Sequence, residues 1–346
     1  MLSLNLLKTQ RCILLTLITL FGITSCKKGG SPAPIKKSGT DVYVIGDINA
    51  ANYISVATYW KNGIAKALVS DTTISSIANG ITIKDTDVYI CGKANNTAVY
   101  WKNGIATTLS NGVLASAITI SGSDVYVAGS ANINNKDAAA YWKNNTLIAL
   151  DSESPNTYAA YAFGIAVNGN DVYVTGMHIN NDLTTTLLYW KNGVETDLSR
   201  TLSTLGFSTG AITIALNGPD VYITGSGNGL SVDHTQATYW KNGQQNVLTN
   251  VLTSAALNAI AFNNGNAYFV GYSNGMAAYW ENNTEHDFTN SLSQYMATAI
   301  AFNGSDMYIA GYSGYTTSYA VYWKNGVLVP LSTRPSITSG IGIVQY

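Results

Sequence analysis

Three features of the chain predict an all-β protein, a seven-bladed β-propeller of four-stranded antiparallel blades. They are seven near-copies of Tyr-Trp-Lys-Asn-Gly, seven copies of an Asp-Val-Tyr-like string, and a first unit that starts one strand out of phase. All seven tryptophans (Trp60, Trp101, Trp142, Trp190, Trp240, Trp280 and Trp323) belong to the first string and lie 40 to 50 residues apart. Asp41, Asp87, Asp124, Asp171, Asp220 and Asp306 open six copies of the second, and Asn266 opens the seventh. A period of this length fits a unit of four short strands.

The fourth unit shows the elements in order. Strand A is Ala162–Val167, strand B Asp171–Gly176, strand C Thr186–Lys191 and strand D Val194–Leu198. Each is short, rich in β-branched and aromatic residues, and bounded by Gly or Asn. The Asn-Gly after Tyr-Trp-Lys predicts a type I′ hairpin between C and D, with Asn145 and Asn283 replacing Gly in two copies. Adjacent Tyr and Trp point to opposite faces of strand C, so both are expected between blades, with the tryptophans as core. The repeated aspartates are expected to cap turns, a role that the Asn266 exception fits. The first unit lacks strand A, whereas the chain ends in Ser339–Tyr346, which has the A pattern. This tail is expected to complete blade 1 and close the ring.

Spacing separates the two rims of the disc. Strand A Ile to strand B Asp or Asn is six positions, as from Ile118 to Asp124, and Trp to the apolar end of strand D is eight, as from Trp60 to Leu68. The B–C distance instead varies from 8 (Gly92 to Tyr100) to 14 (Gly225 to Tyr239), and the D–A distance varies too. Alternate connections of an antiparallel sheet share an edge, so all variation falls on one rim, the expected binding face. Tyr53, Tyr158, Tyr161, Tyr272, Tyr295, Tyr312, Tyr315 and Tyr319 are placed in its loops. Tyrosine beside Ser, Asn and Gly suits a glycan or protein ligand. Blades 6, 7 and 1 become neighbours on closure, so Tyr53, Tyr272, Tyr295, Tyr312, Tyr315 and Tyr319 form the candidate ligand-binding patch.

Catalytic signals are sparse. No catalytic residue, cofactor or metal is assigned. His178 and His234, with Asp182 and Asp233, fall in the B–C loops of adjacent blades 4 and 5 and are the candidate metal or acid–base residues. Asp85 and Asp87 hint at calcium but lack the other ligands of a calcium loop. Cys91 takes a small apolar position and reads as core. A net charge of −1 gives no basic surface for nucleic acid.

The N-terminus reads as an address. Lys8 and Arg11 precede an apolar run from Cys12 to Ile23, short for a membrane span, that ends in Ile23-Thr24-Ser25-Cys26. This ending resembles the lipobox of bacterial lipoproteins. The resemblance implies a signal peptide over 1–25, acylation of Cys26 (a palmitate-type membrane anchor) and localisation to the bacterial cell envelope at the outer membrane, facing periplasm or medium. Residues 26–40 read as a flexible tether, whose four lysines either meet anionic head groups or solvate the linker. The propeller then spans 41–346 and is expected to be monomeric. Its units resemble the YWKNG-type extracellular repeats of uncharacterised Bacteroidetes-like lipoproteins, a resemblance that implies the fold and no activity. The expected function is non-enzymatic binding on the variable rim. The alternatives are a scaffold subunit of an envelope assembly and a glycosidase or lyase acting at the central channel.

Overall fold

The computed structural model describes residues 39–49, 54–150, 157–198, 213–228, 235–287, 294–314 and 316–346. The expected signal peptide, Cys26 and almost all of the tether therefore lie outside the described residues. Blade 1 holds β1 (Thr40–Asn49), β2 (Ser55–Lys61) and β3 (Ile64–Ala67). Blade 2 holds β4 (Ser76–Lys84), β5 (Asp87–Ala94), β6 (Thr97–Lys102) and β7 (Ile105–Thr108). Blade 3 holds β8 (Gly112–Ser121), β9 (Asp124–Ile133), β10 (Lys136–Lys143) and β11 (Thr146–Ala149). Blade 4 holds β12 (Thr157–Asn168), β13 (Asp171–Asn180), β14 (Thr185–Lys191) and β15 (Val194–Asp197). Blade 5 holds β16 (Thr213–Asn217), β17 (Asp220–Asn228), β18 (Thr235–Lys241) and β19 (Gln244–Val247). Blade 6 holds β20 (Ala255–Asn263), β21 (Asn266–Ser273), β22 (Met276–Glu281) and β23 (Thr284–Asp287). Blade 7 holds β24 (Tyr295–Asn303), β25 (Asp306–Ser313), β26 (Tyr319–Lys324) and β27 (Val327–Pro330), and β28 (Ser336–Gln345) ends the chain.

These form seven antiparallel four-stranded sheets, and the sheet of blade 1 has the order β28-β1-β2-β3. The tail thus supplies the missing inner strand, pairing Val44 with Ile341 and Val42 with Ile343. Each inner strand touches the next around the axis, and β28 touches both β24 and β4, so the ring is closed. The molecule is a seven-bladed β-propeller.

The tryptophans occupy the junctions. All are at most 2% exposed, and each packs on the preceding blade. Trp101 lies with Ile45, Ala57 and Val344 of blade 1, and Tyr59 joins the same cluster from the other side. Trp60 lies with Tyr308, Ala310 and Leu331 of blade 7, where the first and last blades meet. Burying one such ring removes about 150–250 Å² from water, a gross gain of about 4–6 kcal/mol. Cys91 is fully buried at the junction of blades 2 and 3, and burial pushes its thiol well above the usual range.

Among the described residues, a β-bulge explains the glycine that ends the Asp-Val-Tyr string in six of the seven blades. Opposite it, the inner strand gains one residue, as between Ala78 and Gly80 in β4 and between Leu257 and Ala259 in β20. The displaced backbone passes against the glycine. A Cβ at Gly92 would stand 2.0 Å from the Ile77 carbonyl oxygen, and one at Gly271 would stand 1.9 Å from that of Ala256. The bulged side chains then reach the next blade: Asn79 Nδ2 donates to the Ala115 carbonyl at 2.8 Å, and Asn258 Nδ2 to that of Ala297 at 2.7 Å.

Candidate functional site

The rim of short turns is stitched by one repeated arrangement. In blade 1, Asn62 Oδ1 accepts the Val42 N–H at 2.8 Å, and Asn62 Nδ2 donates to Asp41 Oδ1 at 2.7 Å. Lys61 Nζ is 2.7 Å from Asp41 Oδ2 and 5.3 Å from the centre of the Tyr43 ring. The same Asp–Lys pair recurs at 2.8–2.9 Å in blades 2, 3, 4, 5 and 7. The turn-capping role expected of the aspartates thus belongs to the asparagine of Lys-Asn-Gly, while the aspartate holds asparagine and lysine. Blade 6 changes both ends together: Asn266 Nδ2 donates to Glu281 Oε1 at 3.0 Å, and Tyr268 Oη donates to the same oxygen at 2.7 Å. Asp87 is taken up by Lys102 and Asn103 in this way, so it is not poised as a calcium ligand beside Asp85.

Blade 1 adds the chain end to this arrangement. Tyr346 Oη donates to Asp41 Oδ2 at 2.6 Å. Lys61 first, then Tyr346 and Asn62, hold the Asp41 carboxyl down at about 2.

The opposite rim differs from its expected form. The B–C connections of blades 2, 3 and 6 are two-residue turns at Asn95-Asn96, Asn134-Asn135 and Asn274-Gly275, with positive φ at both positions. The variation in spacing there is strand length: β9 and β10 run on to Ile133 and Lys136. Six tyrosines expected in loops accordingly lie in strands, Tyr158 and Tyr161 in β12, Tyr272 in β21, Tyr295 in β24, Tyr312 in β25 and Tyr319 in β26.

In blade 7, Tyr295 and Tyr319 flank Ser313 in one row across the sheet. Tyr319 is 38% exposed, whereas Tyr295 packs edge-on against Trp323 at 5.5 Å. The Tyr312 phenol is raised by burial and then by Tyr272 of blade 6, and Tyr272 Oη is 3.5 Å from Thr235 Oγ1. Tyr53 and Tyr315 lie outside the described residues.

Of the candidate metal residues, His234 and Asp233 also lie outside the described residues. His178 is in strand β13, not in a loop. It is buried with its ring 6.1 Å from that of Trp190 and Nε2 3.7 Å from Glu195 Oε2. Asp182 lies in the following turn and accepts both the N–H and the hydroxyl of Thr184 at 3.0 and 2.6 Å. Among the described residues, no three His, Cys, Asp or Glu side chains are grouped to hold a metal ion.

One buried carboxyl escapes the sequence pattern. Asp47 is 7% exposed at the junction of blades 1 and 2, where it accepts the Ala78 N–H at 2.9 Å. Burial pushes it up to about 7. It follows the glycine of β1, a position held by Lys, Ser, Met or Tyr in the other blades, so only comparison across units singles it out.

No protein-family model and no curated protein matches the chain. Solved structures do. An acylaminoacyl peptidase from Pyrococcus horikoshii is similar with a TM-score of 0.50 at 12% identity, over 86% of this chain and 51% of that one. A nidogen/laminin complex gives 0.46 at 10% identity, over 88% and 98%. A Trypanosoma rangeli sialidase in complex with sialic acid gives 0.41 at 9% identity, over 84% and 52%. The peptidase likeness agrees with the propeller fold and carries nothing about activity.

Proposed function

We propose that this protein is a non-enzymatic binding module that takes a glycan or protein partner on the long-strand rim, held at the bacterial cell envelope through an acylated Cys26. One observation carries the reading: the side of the ring formed by blades 6 and 7 gathers tyrosines at a single end. Tyr295 and Tyr319 share one row of blade 7, and Tyr272 of blade 6 and Tyr312 of blade 7 hold the matching position after the strand glycine. Tyrosine gives wide, stiff, amphipathic contact area at little entropic cost. Among the described residues, no such set recurs in every blade, as expected of a surface with a specific partner.

The test is capture from envelope extract, scored beside a glycan array, with the full chain and a Tyr312→Ala/Tyr319→Ala variant. The reading expects a specific ligand retained by the parent and lost by the variant at unchanged Tm. Equal retention by both would remove the patch from the binding face. Cys26 is tested separately: Cys26→Ser is expected to release the protein from the membrane fraction, and retention there would contradict the anchor.

A further inference from the structure

The short-turn rim holds a second feature, at one junction. An open groove of about 400 Å³ lies between blades 3 and 4. Its walls include Ser121, Asp124, Tyr126, Tyr141 and Lys143 of blade 3, and the turn of blade 4 at Asn170. We propose that this groove is a binding site for a small neutral saccharide, distinct from the tyrosine patch of the opposite rim.

The position three residues before the repeated aspartate sets this junction apart from four others. In blades 2, 4, 6 and 7 a long side chain there crosses to the next blade. Lys84 donates to the Gly122 carbonyl, Asn168 Nδ2 to that of Gly218 at 3.4 Å, Asn263 Nδ2 to that of Gly304 at 3.1 Å, and Asn303 Nδ2 to Thr40 Oγ1 at 2.8 Å. In blade 3 the position is Ser121, too short to cross, and it lines the groove instead. Between blades 5 and 6 a further contact spans the same place, Tyr239 Oη to Asn283 Oδ1 at 3.4 Å. The matching tyrosine in blade 3, Tyr141, turns its half-buried ring to the groove.

The chemistry of the walls selects the ligand class. Lys143 and Asp124 neutralise each other at 2.9 Å, so the groove offers no net charge to an anion or cation. It is lined by Ser121 and Tyr141, which carry hydroxyls, by Asn170, which carries an amide, and by the Lys143 ammonium, which Asp124 and Tyr126 share. The aromatic surface of Tyr141 lies among them. A sugar matches this combination, with an apolar C–H face for the ring and hydroxyls for the polar edge. The volume is in the range of small-ligand sites.

The experiment is saturation-transfer NMR on the full chain in detergent with a panel of neutral hexoses and their disaccharides at millimolar concentration. The expected result is binding of at least one sugar, weakened at least about tenfold by Tyr141→Phe, which removes the hydroxyl, and by Ser121→Asn, which restores a crossing side chain. Both variants should keep the parental Tm, and Tyr312→Ala/Tyr319→Ala should bind the sugar normally. The proposal is overturned if no panel member binds, or if neither groove variant weakens binding. It is also overturned if binding is lost only in the tyrosine-patch variant, a result that would leave the reading of the opposite rim intact.

Discussion

The two rims of this propeller are built by opposite rules. On the short-turn rim, a handful of residue types repeat from blade to blade and bind one another: aspartate to lysine and asparagine, asparagine to the backbone. On the other rim the strands run on to different lengths and end in residues that differ from blade to blade. One rim therefore carries the instructions for the ring, and the other is free to vary. Repetition marks structure in this molecule, and departures from it (the tyrosine patch, Ser121, Asp47) mark the places to look for function.

The largest expected effect tests the ring itself. Deleting 336–346 removes the inner strand of blade 1 and the packing of Ile341 and Val344. Cooperative thermal unfolding should be lost, and a cooperative transition with parental Tm would contradict closure by β28. The glycines test the bulge next. Gly92→Ala meets the Ile77 carbonyl and is expected to cost more than about 3 kcal/mol in denaturant unfolding. Gly63, at φ 83 with open space around it, should tolerate Asn, already present at the matching Asn145 and Asn283, for less than about 1 kcal/mol.

Asp47 gives a pH-dependent effect. Its folded pKa is raised, so the folded state holds a proton that the unfolded chain releases. Stability should fall as pH rises from about 4 to about 7 and then level off. Asp47→Asn keeps an acceptor for the Ala78 N–H and should stabilise the protein by about 2–4 kcal/mol at pH 8, with little effect at pH 4. An equal effect at both pH values would remove the carboxyl's ionisation from the account. Asp41 works in the opposite sense: its lowered pKa contributes stability that is present above pH 4 and lost as pH falls towards 2.

A smaller effect than that of Asp47 is expected in blade 6. Asn266→Asp sets two carboxylates together, and Glu281→Lys leaves the lysine without its aspartate. The double variant recreates the arrangement of the other blades. A double-mutant cycle should give a favourable coupling of about 1 kcal/mol, and additivity would show that the two changes are unrelated.

Blade number, strand order, closure and buried tryptophans were legible because each follows from spacing or from alternation along one strand. The role of the aspartate was less so. Asp41 and Asn62 are 21 positions apart and meet only through the register of β1 on β2. The signal was present in the one copy where Asn266 and Glu281 depart from the pattern together. The strand-final glycine read as a boundary, because a bulge belongs to the partner strand. The tyrosines read as loop residues because Asn134-Asn135 and its equivalents hide the turn several residues beyond the repeat.

The division between the rims is tested most directly by measuring ligand capture after disabling each in turn. A ligand captured from envelope extract, other than the small neutral sugars of the groove, should be lost in Tyr312→Ala/Tyr319→Ala and kept in Lys102→Met, which breaks one pair of the short-turn rim. Loss in Lys102→Met with retention in the tyrosine variant would contradict the account.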